Sequence, residues 1–144
     1  MANRPLSPHL SHWKWGPHMF VSILHRITGD GMAIVGLAML LWWLGAMASG
    51  PEAYATFQSL VWADFSTMEW AGGDVLPNLV SIFFTVVLVG LSWAFFSHMS
   101  SGIRHFVLDS GAGYELDQNK RWSRAVPLIG IALTAAFWAL VIFL

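Results

Sequence analysis

The chain is 144 residues long, 56% hydrophobic and only 10% charged, with a formal net charge of −1 and no cysteine. A soluble domain carries about 25% charged residues, so this composition does not build a water-facing surface, and the near-neutral balance excludes a basic nucleic-acid-binding face. The lack of cysteine removes disulfides, thiolate metal sites, iron–sulfur ligation and cysteine nucleophiles from within the chain. Met1-Ala2-Asn3-Arg4-Pro5 has neither the apolar core of a signal peptide nor the Arg- and Ser-rich character of an organellar presequence. The expected setting is therefore a bacterial cytoplasmic membrane.

Three stretches hold no charge: Gly31–Pro51 (21 residues), Val75–Ile103 (29 residues) and Ala125–Leu144 (20 residues). About 20 apolar residues at about 1.5 Å per residue cross a hydrocarbon layer of about 30 Å. The fold class is all-α: one membrane domain over 1–144, with helices at roughly 22–49, 76–104 and 124–144, an outer loop 50–75 and an inner loop 105–123.

The first helix opens with Ser22, His25 and Arg26 at i, i+3 and i+4, on one face at the membrane edge. A hydroxyl, an imidazole and a guanidinium suit a ligand with oxygen acceptors, such as a quinone carbonyl or a carboxylate. Anchoring among the headgroups is the alternative for Arg26. Asp30 follows Arg26 by one turn, at ion-pair spacing.

In the outer loop, Pro51-Glu52 starts a short amphipathic helix whose Tyr54, Phe57, Leu60 and Val61 share a face. Trp62 and Trp70 suit the outer headgroup level, and Trp13, Trp15 and Trp122 the inner one.

His98 lies six residues before Arg104, about 9 Å deeper if Arg104 marks the inner headgroup level. Gly90, Ala94, His98 and Gly102 recur every four residues, a narrow stripe of small side chains holding one imidazole. Such a stripe admits another helix or a flat ligand beside the histidine. An axial imidazole with an open wall is what a haem requires. Ser97, Ser100 and Ser101 equally suit interhelical glue, and spacing does not choose between these readings. His105 sits at the interface beside Arg104. On the inner side, Asp109 reads as a loop carboxylate, and Gly111-Ala112-Gly113 and Asp117-Gln118-Asn119 read as turns.

All seven basic residues lie in two segments: Arg4, Lys14 and Arg26 before the first uncharged stretch, and Arg104, Lys120, Arg121 and Arg124 between the second and third. The outer loop carries Glu52, Asp64, Glu69 and Asp74 but no Lys or Arg. The positive-inside rule places the N-terminus in the cytoplasm and the C-terminus in the periplasm.

Arg4-Pro-Leu-Ser-Pro-His-Leu10, Ser22-Ile-Leu-His-Arg-Ile-Thr-Gly29 and His98-Met-Ser-Ser-Gly-Ile-Arg-His105 with Asp109 occur in this order. Together they resemble the cytochrome b membrane-anchor subunit of succinate dehydrogenase, respiratory complex II, over almost the whole chain. His12-Trp13 and Trp15 depart from it where the family more often has a Tyr, and Asp30 is more polar than the pattern. The resemblance implies that His98 is an axial ligand of a b-type haem, shared with a second membrane-anchor subunit that supplies the other histidine. It further implies that Ser22 and Arg26 line a ubiquinone site, and that His25 and Arg26 lie near the haem propionates. Asp109 would belong to a proton path from the inner aqueous phase. The implied partners are a flavoprotein subunit, an iron–sulfur subunit, the second anchor and membrane lipid. This chain would oxidise no succinate alone. The alternatives are the anchor of a fumarate reductase, with net electron flow reversed, and a haem-free membrane scaffold or transporter subunit.

Overall fold

Pro17 opens the first long helix, at a position where its missing N–H is not needed. In the computed structural model, which describes residues 14–66, 68 and 75–143, this helix is one rod of 32 residues. It consists of α1 (Pro17–Gly31), a π-helical turn (Met32–Gly36) and α2 (Leu37–Ala48). Gly50 then reverses the chain at φ +104°, a conformation that suits glycine. Pro51 starts α3 (Pro51–Val61), with Glu52 in its first turn near the positive end of the helix dipole. The second and third long helices are α4 (Val75–Asp109) and α5 (Leu116–Phe143). The segment Arg4–Leu10, His12, Trp13, Glu69, Trp70 and Asp74 lie outside the described residues.

Three helices are thus long and apolar enough to cross a membrane. All outrun the uncharged stretches at the end that carries the α4–α5 turn: the rod begins at Pro17, α4 continues to Asp109 and α5 starts at Leu116. The hydrocarbon layer sets where apolar side chains must stop, whereas backbone hydrogen bonding continues into water. Asp117, Gln118 and Asn119 therefore belong to the first turns of α5 rather than to a turn. The reversal lies at Gly111 and Gly113, with φ of +83° and +80°. The Gly111 N–H donates to the Leu108 carbonyl at 2.9 Å and closes the end of α4.

The packing inverts the pattern of a soluble protein. Large apolar side chains such as Ile34, Leu76, Val86, Leu128 and Ile142 are exposed, while Thr28, Ser81, Ser97, Ser101, Ser123 and Thr134 are buried. Lipid is as apolar as leucine, so helices associate where small side chains let their backbones approach. The crossing of α4 and α5 shows this: a Cβ on Gly130 would lie 3.1 Å from the Ser97 Cα. Several of the hydroxyls turn back on their own helix instead of bridging to another. Ser100 donates to Phe96, Ser123 to Asn119 and Thr134 to Gly130, each within its own helix.

At the other end, α3 folds back on the bundle. Phe57 and Val61 join Met39 and Ala46 in an apolar cluster flanked by Trp42, Phe84 and Leu88. The Ala63 N–H donates to Thr85 Oγ1 at 2.8 Å, and the Thr85 hydroxyl donates to the Val61 carbonyl at 3.2 Å. These two bonds pin the exit of α3 to α4.

Candidate functional site

α1 and α4 meet in the half of the bundle that carries the α4–α5 turn, and their histidines meet with them. The His25 and His98 rings stack at 3.8 Å with an interplanar angle of 12°. His105, one side further along α4, brings its ring to 5.4 Å from His25 at a tilt of 59°. His25 therefore stands level with His98 along the bundle. His25 Nδ1 is buried and has no hydrogen-bond partner among the described residues.

His98 Nδ1 lies 3.0 Å from the His25 carbonyl oxygen and 3.2 Å from Thr28 Oγ1. A carbonyl oxygen only accepts, so at this distance Nδ1 carries the ring proton. In the neutral imidazole Nε2 then carries the lone pair. This is the arrangement of a metal-ligating histidine, whose second nitrogen donates to a carbonyl and fixes the tautomer. Gly29 supports the same ring, because a Cβ there would come within 2.9 Å of His98 Cε1. Among the described residues no three His, Cys, Asp or Glu side chains converge to hold a metal ion. His98 offers one donor.

Ser22, His25 and Arg26, one face by spacing, are divided by the fold. His25 turns toward α4, while Ser22 and Arg26 are exposed and make no hydrogen bond or ion pair with another described residue. Arg26 and Asp30 are both exposed and do not pair. Asp109 is the exposed last residue of α4, one turn beyond His105. The stripe of small residues is divided as well: Ala94 is buried in the chain, whereas a Cβ on Gly90 or Gly102 would meet nothing within 4 Å.

Arg104 does not mark the headgroup level by reaching into it. It is 7% exposed, and its guanidinium donates to Asn119 Oδ1 on α5. Three residues missed by the site reading are thus Thr28, Gly29 and Asn119. Thr28 and Gly29 follow His25 at i+3 and i+4, the same helical face, which is the signal that marks them. Two apolar cavities, of about 740 and 650 Å³, open elsewhere. One lies between Trp62, Trp93 and Trp138, the other beside Met39, Leu88 and Phe137, and neither is lined by Ser22, Arg26 or His98.

A family model described as the succinate dehydrogenase/fumarate reductase transmembrane subunit matches residues 1–137. The chain belongs to this family. It is 33% identical over 142 residues to the succinate dehydrogenase cytochrome b556 subunit of Paracoccus denitrificans, covering 99% of this chain and 93% of the relative. The subunit of the same name from Rickettsia felis is 30% identical over 135 residues, 94% of this chain and 90% of the relative. The mitochondrial cytochrome b560 subunit of Mus musculus is 28% identical over 139 residues, 94% of this chain and 69% of the relative. As a complex II membrane-anchor subunit, the chain is part of an oxidoreductase complex and a multi-pass protein of the inner membrane. Within that anchor, the rings of His25 and His98 stack where α1 meets α4.

Proposed function

We propose that this chain is the cytochrome b anchor of a succinate:ubiquinone oxidoreductase. His98 would give one axial ligand to a b-type haem, a second anchor subunit the other. The observation that carries this reading is the bond from His98 Nδ1–H to the His25 carbonyl, which leaves the Nε2 lone pair for iron. The donor set fits: one neutral imidazole, with its ring held from two sides. When bound, the haem supplies a one-electron store near the quinone. The relatives named above are all succinate dehydrogenase subunits, which favours succinate oxidation over fumarate reduction as the direction of flow.

Ser22 and Arg26 are exposed on α1 without partners among the described residues, which leaves their donors for ubiquinone. The Ser22 hydroxyl donates to a quinone oxygen, and the Arg26 guanidinium adds charge-assisted donors. His25 and Arg26 also lie where positive charge offsets buried propionates. Asp109 would pass protons from the inner aqueous phase, a reading that its exposure at the end of α4 supports. A flavoprotein subunit would oxidise succinate, an iron–sulfur subunit would deliver electrons, and lipid would surround the rest. The N-terminus and the α4–α5 turn face the cytoplasm, the C-terminus the periplasm.

The test is the dithionite-reduced minus oxidised spectrum of the purified four-subunit complex. His98→Ala is expected to lose the b-type absorption, while His105→Ala largely keeps it. Equal loss in both variants, or no haem in the parent complex, would overturn the assignment.

A further inference from the structure

Thr28 is 3% exposed and sealed between α1 and α4. Its hydroxyl has one proton, donated within α1 to the Leu24 carbonyl at 2.8 Å, with the His25 carbonyl the second acceptor at 3.1 Å. With that proton committed, the oxygen lone pairs face His98 Nδ1 at 3.2 Å. His98 Nδ1–H is then shared between two acceptors, Thr28 Oγ1 and the His25 carbonyl. If the ring proton sat on Nε2 instead, Thr28 could turn to donate, but the His25 carbonyl would still face a lone pair. The ring cannot easily rotate to other partners. His25 stacks on it at 3.8 Å, and Gly29 lies so close that a Cβ would sit 2.9 Å from Cε1.

We propose that Thr28 is a positioning residue whose hydroxyl holds the His98 imidazole in orientation and strengthens Nε2 as a donor to iron. This rests on the reading of His98 as an axial haem ligand. Hydrogen bonds in series polarise one another, so the chain from Nδ1–H through Thr28 to the Leu24 carbonyl pushes electron density onto the ring. A more basic imidazole favours ferric over ferrous iron, and second-shell partners of this kind tune a metal's potential. Thr28 touches no substrate and acts through His98 alone.

The experiment uses the complete complex with Thr28→Val, which keeps the shape, and Thr28→Ser, which keeps the hydroxyl. Haem content, midpoint potential and the low-spin ferric resonance are measured in each. Thr28→Val is expected to keep its haem and shift the ferric–ferrous equilibrium toward the reduced form by about threefold to tenfold. A tenfold shift is about 59 mV for a one-electron couple. Thr28→Ser is expected to match the parent. Haem loss in Thr28→Val that Thr28→Ser restores supports the same role, and loss in both variants overturns it. An unchanged potential and resonance in Thr28→Val overturns the role of Thr28 while leaving His98 as ligand. Haem retained in His98→Ala removes the ligand reading, and this role with it.

Discussion

Ser22 and Thr28 lie on one helix and do opposite things. Thr28 is buried, with its proton donated to carbonyls of its own helix, whereas Ser22 is exposed with no partner among the described residues. An exposed hydroxyl contributes little to folding, so Ser22→Ala should change stability by no more than about 0.5 kcal/mol. If Ser22 donates to the quinone, the substitution removes one neutral hydrogen bond, about 0.5–1.5 kcal/mol. The expected result is a loss of about twofold to tenfold in succinate–quinone reductase activity, with succinate oxidation by a soluble dye acceptor intact. Equal loss of both activities would mean failed assembly instead. The helical spacing of Ser22, His25 and Arg26 was legible in the sequence, but it marks one broad face. Which edge of that face meets α4 depends on the crossing of two helices, and so the role of Thr28 and Gly29 was not legible. Arg104 fell outside for the same reason, since its partner Asn119 stands 15 residues on, in another helix.

Between elements, the tightest constraint is the crossing of α4 and α5. A Cβ added at Gly130 would lie 3.1 Å from both Cα and Cβ of Ser97. The Cα belongs to a helix backbone that cannot yield without moving the helix. Gly130→Ala should therefore overpack the seam and destabilise the anchor by about 1–3 kcal/mol. Ser97→Gly in the same chain should recover part of that loss. Thermal unfolding of the purified complex in detergent, followed through loss of subunit association, measures both; a Gly130→Ala complex as stable as the parent would show that the seam has slack. The existence of three helices was plain from charge-free length. Where each ends beside the α4–α5 turn was not legible, because charge marks the edge of the hydrocarbon and not the end of backbone hydrogen bonding. The same limit hid the helical state of Asp117–Asn119, whose composition is that of a turn.

At the scale of the whole molecule, depth and charge point to one side. His98 lies 11 residues before the end of α4, about 17 Å along the axis, and 23 residues from its start, about 35 Å. Arg104, Lys120, Arg121 and Arg124 lie at the end nearer His98, as do Arg26 on the first rod and Lys14 just before it. If this end is cytoplasmic, the residues proposed for haem and quinone face the compartment in which soluble succinate-oxidising subunits dock. If it is periplasmic, those subunits would stand at the far end of α4, beyond about 35 Å of apolar helix. The arrangement of charge and the proposed site therefore favour the same orientation. A periplasm-dependent phosphatase fused after Leu144 is expected to be active, and the same reporter inserted at Ala112, between the two left-handed glycines, inactive. The reverse pattern would overturn the orientation and separate the proposed quinone site from its electron supply.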